Sequence, residues 1–251
     1  MKKIMTLLFA IFLPFAGFSN IAISPFYLEF DADGRNRAGQ VRFTNTTNQP
    51  RTYNISFVNF RQMSDGSYQT ITEAIPGNPF ADPYLEFSPR QVTLNPRESQ
   101  VVRVRRRGMA TAPDGEYVSH LLVQEAAPPR TERSNTDTGG ISINLVALHG
   151  VSIPVIIHKG NLYANGVIQS AYVRDGYVRV TVRRSGNRSL YGTLTINDGR
   201  HEIGRIRNFR IFMTTNYRTI NVPIQRQPTG RVTVTLNDNR RGNRTIATKN
   251  L

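Results

Sequence analysis

Beyond residue 20 no stretch of this chain keeps a helical period over three turns. Short runs of alternating apolar and polar residues recur instead, with turn signals between them. Side chains of a strand alternate between two faces, so this pattern restricts the chain to β-sheets packed face to face. Residues 21–30 end at Asp31-Ala32-Asp33-Gly34, and residues 51–60 place Tyr53, Ile55 and Phe57 on one parity. A run at 85–92 and another at 100–105 flank Asn95-Pro96-Arg97-Glu98, and residues 115–124 follow Pro113-Asp114. The pattern restarts after Lys159-Gly160-Asn161, with hairpin signals at Arg174-Asp175-Gly176 and Asn197-Asp198-Gly199. This spacing predicts an all-β fold of two β-sandwich domains, 20–159 and 160–251, joined near 158–161. The polar tail from Asn237 onward is expected to fray.

The longest of these segments, residues 141–153, carries the functional question. Its odd positions are Ile141, Ile143, Leu145, Ala147, His149, Val151 and Ile153, an almost wholly apolar face; the even positions mix Ser142, Asn144, Val146, Leu148, Gly150 and Ser152. A polar, Pro-containing stretch, 128–140, precedes it. Such a strand is either buried in its own sheet or an edge offered to another chain.

The first residues point to a compartment. Lys2 and Lys3 precede an apolar run, 4–15, and Ala16-Gly17-Phe18-Ser19 supplies small residues at a cleavage position. This reads as a secretory signal, 1–19, cut after Ser19. The apolar run is short for a membrane span and contains Pro14, and no later segment is apolar enough to cross a bilayer, so no membrane insertion is expected. With no cysteine, neither disulfides nor thiolate metal sites hold the fold.

The formal charge of +15 is unevenly spread. Residues 20–159 hold 14 basic and 13 acidic side chains, whereas 160–251 hold 16 basic and 4 acidic, almost all of the basic ones Arg. Secreted chains rarely meet nucleic acid, which leaves anionic headgroups, acidic partner surfaces or solubility as the use of this charge. The run Arg103-Val104-Arg105-Arg106-Arg107 reads as a strand end with a solvated face.

Nothing in the sequence spells catalysis. His120, His149, His158 and His201 have no metal-ligand spacing, and the acidic residues are scattered over turns. Ser119 and His120 are adjacent, so on a strand they point to opposite faces and cannot serve as nucleophile and base. No Gly-rich loop joins a strand to a helix. No enzymatic activity, metal or cofactor is expected.

Three runs resemble the N-terminal domain of the PapD-like periplasmic pilus (fimbrial) chaperones. Residues 87–104 contain Pro89-Arg90, Val92-Thr93-Leu94, Asn95-Pro96-Arg97-Glu98-Ser99 and the basic strand Val101-Val102-Arg103-Val104; residues 114–124 and 141–158 are similar to the family's sixth and seventh strands. The second domain matches by position, length and β pattern. The resemblance implies two immunoglobulin-like β-sandwiches in the periplasm. Its seventh strand completes a pilus subunit that lacks one strand, before an outer-membrane usher takes the subunit over. Carried to this chain, the subunit-binding residues are Ile141, Ile143, Leu145, Ala147, His149 and Val151. Burying Ile143, Leu145, Ala147 and Val151 in a groove would contribute about 4 to 10 kcal/mol. The chain departs from the family where an Arg and a Lys hold the subunit's terminal carboxylate: those positions are Tyr27 and Pro154, and Arg97 replaces a Gly. Tyr27, Arg42, His158 and Lys159 stand as candidate anion contacts. Pro154 lacks a ladder donor, which suits an edge strand or a strand end. Two other classes fit less of the sequence: a structural or adhesin-like fibre subunit, and an Arg-rich binder of cell-surface polyanions, for which the charge-balanced first domain gives no support.

Overall fold

The computed structural model describes residues 20–127 and 149–251. The expected signal segment, and Ile141, Ile143, Leu145 and Ala147 of the expected binding strand, lie outside the described residues.

The first sandwich contains β1 (Ile21–Ser24), β2 (Leu28–Asp31), β3 (Ala38–Asn45), β4 (Arg51–Val58), β5 (Phe60–Gln62), β6 (Tyr68–Thr70), β7 (Leu85–Ser88), β8 (Gln91–Leu94), β9 (Ser99–Arg106), β10 (Gly115–Glu125) and β11 (Gly150–Lys159). One sheet runs β1-β3-β9-β7 and the facing sheet β2-β11-β10-β4-β8. With β1, β3, β4, β7, β9, β10 and β11 as strands A to G, these are the A-B-E-D and G-F-C sheets of an immunoglobulin-like sandwich. Alternate residues fill the space between them: Val41 and Phe43, Tyr53 and Ile55, Val102 and Val104, Leu121 and Val123, Ile153, Val155 and Ile157.

Two of the chain's crossings between the sheets fall at a cis Ser-Pro bond. At Ser24-Pro25 it leaves β3's side for β11's, and at Ser88-Pro89 it leaves β9's side for β4's. The run read from sequence as one strand, 85–92, is therefore two short strands on opposite sheets. Pro89 has no N–H to donate to a continuous ladder, and the break falls there.

The second sandwich contains β12 (Ala164–Arg174), β13 (Tyr177–Gly186), β14 (Leu190–Asp198), β15 (His201–Ile211), β16 (Tyr217–Pro223), β17 (Val232–Asp238) and β18 (Arg244–Asn250). Its sheets are β12-β13-β16 and β15-β14-β17-β18, closed over Val180, Leu194, Ile196, Phe209, Val234 and Leu236. The fold class is thus all-β with two immunoglobulin-like domains. The tail corrects the sequence reading: it does not fray but pairs with β17 as β18. A single 3₁₀ turn and two left-handed residues, Gly242 (φ 65°) and Asn243 (φ 61°), fold it back, and Ile246 and Ala247 then pack on the core. That apolar pair is too brief to register as a strand in a tail that is otherwise polar.

Strand β10 explains how the two sandwiches meet. It is buried on both faces, because Tyr117, Leu121 and Val123 enter its own core while Glu116, Val118 and His120 face the second domain. Val118, Ile156 and Phe212 form a small apolar cluster at this junction. The β5–β6 hairpin crosses over as a strap. Gln62 is buried, its N–H donates to Thr214 Oγ1 (3.0 Å), its amide donates to the Arg210 carbonyl (3.3 Å), and its Oε1 accepts from the Phe212 N–H (3.0 Å). At the hairpin tip Thr219 N–H donates to the Ser64 carbonyl (2.7 Å). Only glycine fits at residue 66, where φ is +91° and an added Cβ would stand 2.6 Å from the Arg218 guanidinium. Gln62→Ala leaves the Phe212 N–H buried without a partner, so about 1 to 3 kcal/mol of stability is expected to be lost in urea unfolding. An unchanged unfolding midpoint would mean the strap bears no load.

Candidate functional site

Two features stand side by side: an open strand edge in the first domain and a cleft between the domains.

The edge belongs to β11. This strand pairs antiparallel with β10 along its whole length, but β2 pairs with it only from Val155 to His158, in parallel. Among the described residues nothing pairs with residues 150–154 on the side away from β10. The backbone groups that face this side follow from the ladder. Glu125 N–H donates to the His149 carbonyl (2.8 Å), so odd-numbered residues of this strand bond to β10 and even-numbered ones point their N–H and C=O the other way. The His158 carbonyl, accepting from Ala32 N–H (2.7 Å) beside β2, has the same parity. Gly150 and Ser152 therefore present both ladder groups to the open edge. Pro154 presents only its carbonyl, and its missing donor falls on the unpaired side, where a proline costs no internal bond.

The side chains follow the same alternation. Ile153, Val155 and Ile157 enter the domain's own core, and Val151 packs half-buried against it. His149 is exposed. This corrects one part of the sequence reading: Val151 is anchored in its own domain and offers a partner its main chain more than its side chain.

The cleft lies at the end of this edge. It encloses about 620 Å³ and is lined by Tyr27, Ser152 and Pro154 from around the edge, by His120, and by Tyr191, Arg210 and Phe212 from the second domain. Arg210 dominates its electrostatics. The residue is only 8% exposed, its guanidinium carbon lies 4.5 Å from the Tyr191 ring centre and 5.1 Å from that of Tyr27, and Nη1 has no hydrogen-bond partner among the described residues. Nor does any described carboxylate pair with it. Burial pulls its pKa down, countered in part by Glu116, Tyr191 and Tyr27. His120 stacks edge-on with Phe60 (4.9 Å) and Phe212 (5.6 Å), its Nδ1 is unpartnered, and burial, with Arg210 adding to it, lowers its pKa to about 4. On the strand's other face Ser119 Oγ accepts from the Ala81 and Asp82 N–H groups and donates to the Asp82 carboxylate (3.0 Å), so Ser119 and His120 do not meet.

Of the four residues expected to contact an anion, only Tyr27 lines the cleft. Arg42 is exposed on β3, in the opposite sheet. Lys159 spends its ammonium on loop carbonyls, at Met109 (2.9 Å), Ala110 (3.2 Å) and Ala112. His158 belongs to an interdomain network: Arg240 donates to its Nδ1 (3.0 Å), leaving Nε2 to donate to Glu116 (2.8 Å). Arg240 also pairs with Glu29, and the Glu116 carboxylate accepts from the Ser189 N–H (3.0 Å) and hydroxyl. Burial raises the Glu116 pKa, but the hydrogen bonds from His158 and Ser189 outweigh it and hold the carboxyl below its ordinary value. These residues are fastenings between domains. Sequence reasoning counted Arg210 among the basic residues of the second domain without singling it out; its neighbours Phe209, Ile211 and Phe212, apolar on both parities, are the one local signal that position 210 is covered.

Among the described residues no cluster of His, Asp and Glu is placed to hold a metal ion, and no helix is long and apolar enough to cross a membrane. Fold and site together define a two-domain immunoglobulin-like protein with an unpaired strand edge leading into a cationic, aromatic interdomain cleft. No family model matches the sequence, and no curated protein matches it. Solved structures align along most of the chain at low identity. The YadV chaperone covers 92% of this chain and 100% of its own, with 12% identity and a TM-score of 0.46. A chain of the CsuC–CsuE chaperone–tip subunit complex of Acinetobacter baumannii Csu pili covers 92% and 96%, with 12% identity and a TM-score of 0.45. A chain of the complex between the SafA pilin and the SafB chaperone of Salmonella enterica covers 98% of each, with 12% identity and a TM-score of 0.42.

Proposed function

We propose that this chain is a non-enzymatic periplasmic chaperone for pilus or fimbrial subunits. It lends the segment 141–153 to an incomplete β-sandwich and passes the subunit to an outer-membrane usher. The single observation that carries the reading is the edge of β11 at residues 150–154, which has no partner among the described residues although β2 closes the same edge from Val155 onward. Main-chain hydrogen bonds from Gly150 and Ser152 would supply affinity, and the alternate side chains of 141–149 would enter the subunit's groove. The resemblance of residues 87–104, 114–124 and 141–158 to the PapD-like chaperones supports the same reading. Its test is co-expression of candidate subunits in the periplasm with and without this protein: subunit recovery should depend on it, and equal recovery would end the proposal. Ser152→Pro is the sharper probe, since it deletes an outward N–H and leaves the β10 ladder whole. Complex affinity should fall about tenfold, near one hydrogen bond's worth, with the urea midpoint of the free chain unchanged. Undiminished affinity would place the partner elsewhere.

A further inference from the structure

Independently of strand donation, we propose that a groove between β4 and β7, at the edge of the first sandwich opposite β11, is a phosphoryl-binding site that holds a phosphate ester or diphosphate on Arg90, Arg103 and Arg105.

The groove opens where one sheet runs short. β8 covers β4 only from Arg51 to Asn54, and the last bond on that side runs from the Ile55 N–H to the Arg90 carbonyl (2.8 Å). Beyond it a space of about 680 Å³ lies beside β7, the end strand of the other sheet. Odd-numbered residues of β4 turn their ladder groups to this side, so Phe57 presents an N–H with no strand partner among the described residues. The rings of Phe57 and Phe87 meet edge to face (5.0 Å), and both line the groove.

The run Arg103-Val104-Arg105-Arg106-Arg107, a solvated strand end by sequence, is divided by the fold. Arg106 turns inward, is 2% exposed, and donates to the Arg107 (2.9 Å) and Gly34 (3.3 Å) carbonyls. Arg103, Arg105 and Arg107 line the groove with Arg90, whose guanidinium carbon stands 5.0 Å from the Phe87 ring centre. Two carboxylates share it, and both are engaged: Glu86 with Arg107 (2.7 Å), and Asp82 with Ser119 (3.0 Å) and Asn59 (3.3 Å). Arg103 and Arg105 have neither an ion pair nor a hydrogen bond among the described residues. Four guanidinium groups against two carboxylates leave a local excess of positive charge in a domain whose acids and bases otherwise nearly cancel. Arg103 and Arg105 stand two residues apart on β9, about 7 Å, so both reach one ligand from the same face. A carboxylate is planar, and a single guanidinium fork satisfies it. A phosphoryl group offers three terminal oxygens at tetrahedral angles, which suits several guanidinium groups together with the exposed hydroxyls of Ser56 and Ser88 and the Phe57 N–H.

The test is calorimetric titration of the mature full-length protein with pyrophosphate and with citrate at low ionic strength. Pyrophosphate is expected to bind about tenfold more tightly than citrate, whose comparable charge sits on carboxylates. Equal binding of the two overturns the phosphoryl assignment, and this comparison needs no variant. Arg103→Gln combined with Arg105→Gln should weaken pyrophosphate binding about tenfold or more, with the urea midpoint unchanged because both side chains are exposed. Lys at both positions keeps the charge but not the fork and should fall between. Arg174→Gln combined with Arg183→Gln removes the same charge from the second domain and should leave the affinity as it was. Equal losses from the two Gln pairs would show attraction by net charge alone and overturn the site. Vesicles of phosphatidylglycerol, compared with phosphatidylcholine, identify the source of the phosphoryl group. Vesicle binding lost with Arg103 and Arg105 assigns a lipid headgroup; vesicle binding that survives their loss, while pyrophosphate binding does not, assigns a soluble phosphoryl compound.

Discussion

Leu145→Glu is expected to abolish complexes with subunits while leaving the free protein folded. Leu145 shares the parity of Ile141, Ile143 and Ala147, the face that would enter a subunit's groove. Removing a buried Leu forfeits about 1.5 to 3 kcal/mol, and burying an unpaired carboxylate in its place adds a penalty of at least similar size. A loss of 3 to 5 kcal/mol corresponds to roughly a hundredfold to several-thousandfold weaker binding, enough to remove a co-purified complex. The free chain is expected to keep its unfolding midpoint, since a side chain held available to a partner does not fill its own core; the described core residues of β11 are Val151, Ile153, Val155 and Ile157. A variant that unfolds on its own would show that residue 145 belongs to this molecule's core, and strand donation would fail with it.

The second large effect is a loss of stability in mild acid that traces to one histidine. His120 has a folded pKa of about 4, against 6.5 when unfolded, because burial disfavours its charged form and Arg210 stands nearby. Between these values the unfolded chain binds a proton that the folded chain refuses, so stability is complete above pH 6.5 and falls as pH drops towards 4. Over that window the loss is about 3 kcal/mol, at roughly 1.4 kcal/mol per pH unit. His120→Phe keeps an aromatic ring against Phe60 and Phe212, removes the unpartnered Nδ1, and should flatten the urea midpoint between pH 6.5 and 4.5. A variant as acid-sensitive as the parent would assign the loss to other groups. Glu116 acts in the same direction but lower: its depressed folded pKa stabilises above the ordinary carboxylate range and is lost only as pH falls through it.

Much of the architecture was legible because strand patterning is local. Period-2 alternation placed Tyr53, Ile55 and Phe57 on one parity, the face that packs on the core, and Asp-Gly signals marked the hairpins at Asp175-Gly176 and Asn197-Asp198-Gly199. Two local readings went wrong where apolar content is thin or a proline interrupts: the tail became β18, and 85–92 split between the sheets at Pro89. The candidate anion contacts fared worst. Arg42, His158 and Lys159 were chosen by proximity in sequence to the family's positions, yet one sits on the opposite sheet and two are engaged in bonds of their own.

The sequence by itself determined that this is a chain of short strands in two β units, with a long run of alternating apolar residues before the junction and an excess of arginine after it. Only the tertiary structure decided which outward-facing side chains are covered. On an isolated strand Glu116, His120 and Arg210 all point to water, and Arg210 looks no different from Arg205 or Arg207. Docking of the two sandwiches buries the first three and leaves Arg205 and Arg207 outside the cleft. The reason is physical: alternation is set by each residue's immediate neighbours, whereas desolvation depends on surfaces brought together from far along the chain, as Glu116 meeting Ser189 and His120 meeting Phe212 make plain.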